Sequence, residues 1–216
     1  MDYHQIYRHY EKCFETFGDT PKGVDWPNMD DLEKRFRVML DLTAPRQTPL
    51  WRKVKLLDFG CGTALLLDFI RNEQAKGKFT NLEYIGADIS PKFIDYCKKK
   101  YSDTQFIQLD VIENAARLET YDYAVLNGVF TMKIGLTHEQ MLEFFKSTIK
   151  SLWPKIRVGL AFNVMSKQVD WERNELFHLP MDEMANFLCK DITRDFVIRN
   201  DYGLYEYTVY VKKEKE

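Results

Sequence analysis

Leu57-Asp58-Phe59-Gly60-Cys61-Gly62-Thr63-Ala64 is the stretch that decides the fold of this chain. An apolar run from Val54 closes on Phe59, and two glycines follow one residue apart. Leu65, Leu66, Phe69 and Ile70 then fall on one helical stripe, predicting a helix over 63–74. Glycine at positions 60 and 62 permits positive φ and lets backbone N–H groups approach a ligand with no Cβ in the way. Such a ligand lies at a helix N-terminus and at the carboxyl ends of parallel strands. A pyrophosphate-binding G-x-G-x-x-G would need its third glycine at position 65, where Leu65 stands. The loop therefore suits a ligand without a pyrophosphate.

Outward from the loop, strands and helices alternate. Tyr84 to Ile89 predicts a second buried strand, and Ser90-Pro91 is an N-cap and first-turn pair for a helix carrying Phe93, Ile94, Cys97 and Tyr101. Further strands are expected at 105–109, 123–126 and 156–165. Thr137 and Gln140 form a capping box for a helix running through Trp153. This alternation implies parallel strands joined by right-handed crossovers. It breaks at the end, where β-rich runs at 195–199 and 204–211 flank Asn200-Asp201-Tyr202-Gly203. A hairpin there inserts one antiparallel strand.

Upstream, Tyr3, Ile6, Tyr7, Tyr10, Cys13, Phe14 and Phe17 fall at helical spacing, with Gly18 as the cap. A second helix is expected over 29–42, and Pro45 and Pro49 then break the chain. The expected division is a helical extension over 1–50 and a ligand-binding domain over 51–216.

An acidic residue ends each of the first three strands. Asp58 can organise the loop amides or meet a ligand ammonium group. Asp88, twenty-six residues after Gly62, can accept both hydroxyls of a ribose. Asp110 can accept an adenine amino hydrogen. Aspartate is also common as an N-cap or loop residue, but three in register favour a ligand role.

These segments resemble the class I S-adenosylmethionine-dependent methyltransferases from Val54 to Val211. Asp58 to Ala64 is similar to the family's first motif, with Ala64 where the third glycine usually stands. Tyr84-Ile85-Gly86-Ala87-Asp88-Ile89-Ser90 is similar to the second motif, and Gln108-Leu109-Asp110-Val111 to the third. Asp122 to Val129, with Asn127 and Gly128, is similar to the fourth. The resemblance implies an α/β fold with a Rossmann-like, seven-stranded, mostly parallel sheet. It also implies an antiparallel C-terminal strand, helices on both faces, S-adenosylmethionine as cofactor and S-adenosylhomocysteine as product. The cofactor site would comprise Asp58, Gly60, Cys61, Gly62, Asp88, Ile89, Asp110, Val111, Asn127 and Gly128. Gly23 to Trp26, Leu160 to Asn163 with Val169-Asp170, and Arg199 to Tyr202 are similar to an uncharacterised bacterial branch met near polysaccharide biosynthesis genes.

Methyl transfer needs alignment of nucleophile and methyl group, and a hydroxyl nucleophile gains from a general base. Of the four histidines, His178 lies in the loop after the fifth strand, near the sheet's functional edge, and is the leading base candidate. Asp201 and Tyr202 are weaker ones, and His4 and His9 are expected to be exposed. Asn163 either orients substrate or makes a buried hydrogen bond. Trp26 and Arg35 either close over the cofactor, the indole through cation–π attraction to a sulfonium, or simply pack the extension against the domain. No Asn-Pro-Pro-Tyr follows the fourth strand, and a formal charge of -2 argues against a large basic face for nucleic acid. No apolar run approaches the ~20 residues that span a bilayer. Four scattered cysteines without a CxxC pair argue against disulfides or a zinc site and fit the reducing cytoplasm. A small molecule or sugar, methylated at a hydroxyl, is the expected substrate. An NAD(P)-dependent oxidoreductase and a non-catalytic cofactor-binding partner protein are the alternatives.

Overall fold

The computed structural model describes residues 2–43 and 52–213. The apolar runs become β1 (Val54–Phe59), β2 (Leu82–Asp88), β3 (Gln105–Gln108), β4 (Tyr121–Phe130), β5 (Ile156–Ser166), β6 (His178–Leu179), β7 (Phe196–Arg199) and β8 (Glu206–Lys212). The helices are α1 (His4–Phe17), α2 (Met29–Leu40), α3 (Leu65–Gln74), α4 (Pro91–Lys100), α5 (Val111–Asn114), α6 (His138–Leu152) and α7 (Met181–Asp191).

The sheet runs β3-β2-β1-β4-β5-β8-β7, with β6 pairing β5 off this path. Every pairing among β1 to β6 is parallel, while β8 runs antiparallel to both β5 and β7. The sheet has eight strands rather than the expected seven, because two residues after the fifth strand, His178 and Leu179, pair with Met165 and Ser166. One face is covered by α6 and α7, whose Phe145, Ile149, Met184 and Leu188 pack on Leu57, Leu126 and Phe162. The other is covered by α2, α3 and α4, with Phe36, Met39, Leu66, Ile70 and Ile94 on Leu56, Val125 and Ala161. Among the described residues, Ile6 of α1 joins the first cluster and Leu32, Phe36, Val38, Met39 and Leu40 of α2 the second.

Local chemistry explains the boundaries. Thr137 and Gln140 close the expected capping box at α6, and Ser90 caps α4 through the Phe93 N–H. Helix α3 starts at Leu65, two residues late, because Ala64 is left-handed at φ 62°. Helix α7 was not expected; its buried stripe is only Met184, Phe187 and Leu188, and Pro180 precedes it. Pro45, Pro49 and the boundary at 50/51 lie outside the described residues.

Candidate functional site

Leaving β1, the chain builds outward through β2 to β3 on one side and returns to β4 on the other. Such a switch point opens a crevice at the carboxyl ends of the strands. Here it is an open cavity, lined by the glycine loop, the ends of β1, β2 and β4, and residues of α1. The glycine loop is pinned beneath it. The Gly60 and Cys61 N–H groups both donate to the Ala87 carbonyl, at 2.7 and 3.1 Å. Gly60 has φ 77°, and a Cβ there would fall 2.5 Å from Val129 Cγ2 at the end of β4. Only glycine lets the two strand ends approach this closely. Ala64 occupies the same left-handed region with its side chain fully buried, a strain of roughly 1–2 kcal/mol that a glycine would not carry.

The three strand-end carboxylates have different environments. Asp88 accepts the Gly62 and Ser90 N–H groups, both at 2.9 Å, so it, rather than Asp58, organises the loop amides. Burial pushes its pKa up to about 6 against the pull of those donors. Asp58 accepts the Tyr84 hydroxyl at 2.7 Å. Burial, opposed by that hydrogen bond and reinforced by the nearby Asp88 charge, pushes it to about 7. No cation faces either carboxylate among the hydrogen bonds and ion pairs of the described residues. Asp110 caps α5 through the Ile112 and Glu113 N–H groups and accepts the Tyr3 hydroxyl at 2.7 Å. All three carboxylates line the cavity.

Gly60, Cys61, Gly62, Ile89 and Val111 line it as well, as do Asn127 and Gly128 at the end of β4. The Asn127 Oδ1 is buried and has no hydrogen-bond partner among the described residues. Gly128 has φ 83°, and a Cβ there would meet Trp26 Cζ2 at 2.6 Å. Its N–H donates to Asn163 Oδ1 at 2.8 Å, and Asn163 Nδ2 donates to Glu206 Oε1 at 2.9 Å. Arg35 completes the chain, its Nε donating to Glu206 Oε2 at 2.9 Å while its guanidinium stacks 4.1 Å from the Trp26 ring centroid. Asn163 therefore braces the rim through a buried hydrogen bond.

Trp26 lines the cavity, but Arg35 does not; it lies behind the indole. The expectation that His178 supplies a base at the cavity is not met geometrically. Its ring is buried off the cavity, with Nδ1 2.6 Å from the Ser166 carbonyl and Nε2 facing the Arg173 N–H at 3.4 Å. Pairing of β6 with β5 draws it into the sheet. Asp201 is engaged by Arg199, and Tyr202 contacts Thr208 and Glu206. His4 and His9, expected to be exposed, are partly buried and each contacts a carboxylate, Asp110 and Asp25 respectively.

Sequence reading missed the roof. Tyr3, which precedes α1, and Ile6, Tyr7 and Tyr10 of α1 all line the cavity. The signal was a stripe built of tyrosines rather than aliphatic residues, which suits a face that is half apolar and half wet. Glu206 was also missed, because it sits on the polar side of an alternating strand. That side is buried beneath α2.

Residues 57–154 match the family model described as a methyltransferase domain. A Mycobacterium tuberculosis protein, Rv1506c, provisionally designated a methyltransferase, is 29% identical over 163 residues, spanning 72% of this chain and 91% of that protein. Among solved structures, the chain is similar to magnesium protoporphyrin IX methyltransferase from Synechocystis PCC 6803 with bound SAM. The TM-score is 0.62 at 18% identity, covering 99% of this chain and 98% of that one. It is similar as well to the Burkholderia thailandensis 1,6-didemethyltoxoflavin-N1-methyltransferase, with TM-score 0.62 and 12% identity over 98% and 88% of the two chains.

Proposed function

We infer that this chain, a class I S-adenosylmethionine-dependent methyltransferase, binds its cofactor in the rim cavity and methylates a small molecule or sugar at a hydroxyl oxygen. The observation that carries the cofactor assignment is the buried carboxylate of Asp88, which stands beside the glycine loop with no cation to neutralise it among the described residues. A carboxylate has about four acceptor positions, and the Gly62 and Ser90 amides take two of them. The remaining positions suit a pair of ribose hydroxyls. Also lining the cavity, the unpaired Asn127 Oδ1 and the ionisable Asp58 suit an ammonium group. Trp26 offers an aromatic surface to a sulfonium. When bound, S-adenosylmethionine supplies the electrophilic methyl group, which passes in line to the acceptor.

The protein's part is alignment and exclusion of water. Tyr7 and Tyr10 of α1 line the cavity together with Trp26 and support a compact acceptor with a stackable face, which is why a small molecule or sugar is favoured over a polymer. With His178 held off the cavity, the titratable groups lining it are the three aspartates, the tyrosines and the Cys61 thiol. The hydroxyl reading accordingly relies on orientation more than on a histidine base. In calorimetry, S-adenosylhomocysteine should bind at one site per chain, and Asp88→Ala should lower its affinity at least tenfold while the circular dichroism spectrum is retained. Unchanged affinity would sink the ribose assignment. A screen of hydroxylated small molecules and sugars, read as a mass gain of one methyl group, tests the acceptor class; methylation confined to amines or carbon acids would overturn the oxygen assignment.

A further inference from the structure

Outside the cavity, two side chains of α1 and one from the turn after it converge on a single point. His9 and Cys13 lie four residues apart, on one face of the helix. His9 Nε2 is 2.7 Å from Asp25 Oδ2 and 3.6 Å from Cys13 Sγ. One oxygen of Asp25, the sulfur of Cys13 and a ring nitrogen of His9 all lie within 4.8 Å of one another. Asp25 itself is left-handed, at φ 59°, which turns its carboxylate toward the helix. An imidazole nitrogen carries either one N–H or one in-plane lone pair, so a hydrogen bond satisfies only one of these two neighbours. An ion at the point of convergence satisfies both.

We propose that His9, Cys13 and Asp25 hold one divalent transition-metal ion, with zinc the ion best matched to this donor set. Nitrogen, thiolate and carboxylate are the ligand types zinc takes, with a fourth position open to water. From bond lengths of about 2.0–2.3 Å, a tetrahedral site needs a nitrogen-to-sulfur edge of about 3.6 Å and a nitrogen-to-oxygen edge of about 3.3 Å. The first edge is already met. The second requires Asp25, an exposed turn residue, to withdraw by about 0.6 Å. Binding displaces the Cys13 thiol proton to solvent and takes His9 as the Nδ1–H tautomer, leaving Nε2 to ligate. The second cluster of this kind, His4, Asp110 and Glu113, is less suited, since Asp110 already serves Tyr3 and two backbone N–H groups. Bound metal would fasten α1, which roofs the cavity, to the turn that carries Trp26.

The site is tested on the untagged full chain, kept reduced and titrated with Co²⁺. One equivalent should bind, giving visible ligand-field bands and a near-ultraviolet thiolate-to-cobalt charge-transfer band, and Zn²⁺ should displace it. Cys13→Ser should remove the charge-transfer band, Asp25→Asn should weaken binding about tenfold with the thiol intact, and Cys189→Ser should change neither. Absence of saturable binding by either ion overturns the proposal, as does a charge-transfer band that survives Cys13→Ser. If Cys13→Ser fails to fold, Asp25→Asn decides: wild-type affinity in that variant overturns the assignment.

Discussion

At position 58 a carboxyl group receives one hydroxyl donor, Tyr84, and stands near a second carboxyl at position 88. Both have folded-state pKa values, about 7 and about 6, above the ordinary 3.8 for aspartate. The folded protein therefore holds protons that the unfolded chain has released, and stability falls as pH rises from about 4 to about 7. An asparagine in place of Asp58 would keep an acceptor for Tyr84 without ever bearing charge. Asp58→Asn is thus expected to stabilise the ligand-free protein at pH 8 by an amount on the order of 1–4 kcal/mol. The gain should shrink towards zero at pH 4, as read from urea midpoints. A variant less stable at pH 8, or a pH-independent difference, would show that the carboxylate is not held at a cost. Residue-scale chemistry was legible where a strand end met an acidic residue. Which donors each carboxylate engages was not, because Gly62 comes to Asp88 only through the pairing of β1 with β2, while the Ser90 donor depends on the turn that follows Asp88.

Helix α2 and strand β8 lie far apart in sequence and are joined by Arg35 and Glu206. The pair is almost wholly buried, with side-chain exposures of 10% and 1%. Removing one partner leaves an uncompensated buried charge, which typically destabilises by about 3–5 kcal/mol. Arg35→Ala is expected to lose that much, and the double variant Arg35→Met with Glu206→Gln should lose clearly less than the sum of its two singles. Denaturant melts of the wild type, both singles and the double make the cycle; strict additivity would mean that the pair is not coupled. The core elements were readable because period and capping agreed, as at Thr137 with Gln140 and at Ser90 with Pro91. Helix α7 and strand β6 were not, because the first has a three-residue apolar stripe and the second exists only through its pairing with Met165 and Ser166. His178 illustrates the consequence, since a residue read as loop became a sheet residue with its ring nitrogens engaged.

Over the whole molecule, ligand binding, protonation and stability are linked. A ligand that favours ionised Asp58 and Asp88 must displace the protons they hold at mildly acid pH. Affinity for S-adenosylhomocysteine is therefore expected to rise between pH 5 and pH 8, with net proton release on binding near pH 6. Calorimetry in buffers of differing ionisation enthalpy measures that release directly, and proton uptake would reverse the assignment. The same ligand should raise the melting temperature by mass action. The parallel direction of the first strands and the reversed β8 followed from alternation and from the turn at 200–203. The docking of α1 and α2 did not, because apolar spacing shows that a helix has a buried side without showing which surface receives it.

Strand β8 is the last of the described strands to leave the ribosome, yet it lies between β5 and β7, and six of its seven residues are buried. Until it emerges, β5 presents a long unpaired edge, and Arg35 has no counter-ion to dock against. A nascent or truncated chain lacking residues 206–212 would thus expose a sticky hydrophobic border, the kind of surface that recruits chaperones or seeds aggregates. Completion of the sheet and seating of α2 are thus coupled through Arg35 with Glu206 and through Tyr210 with the Val38 carbonyl.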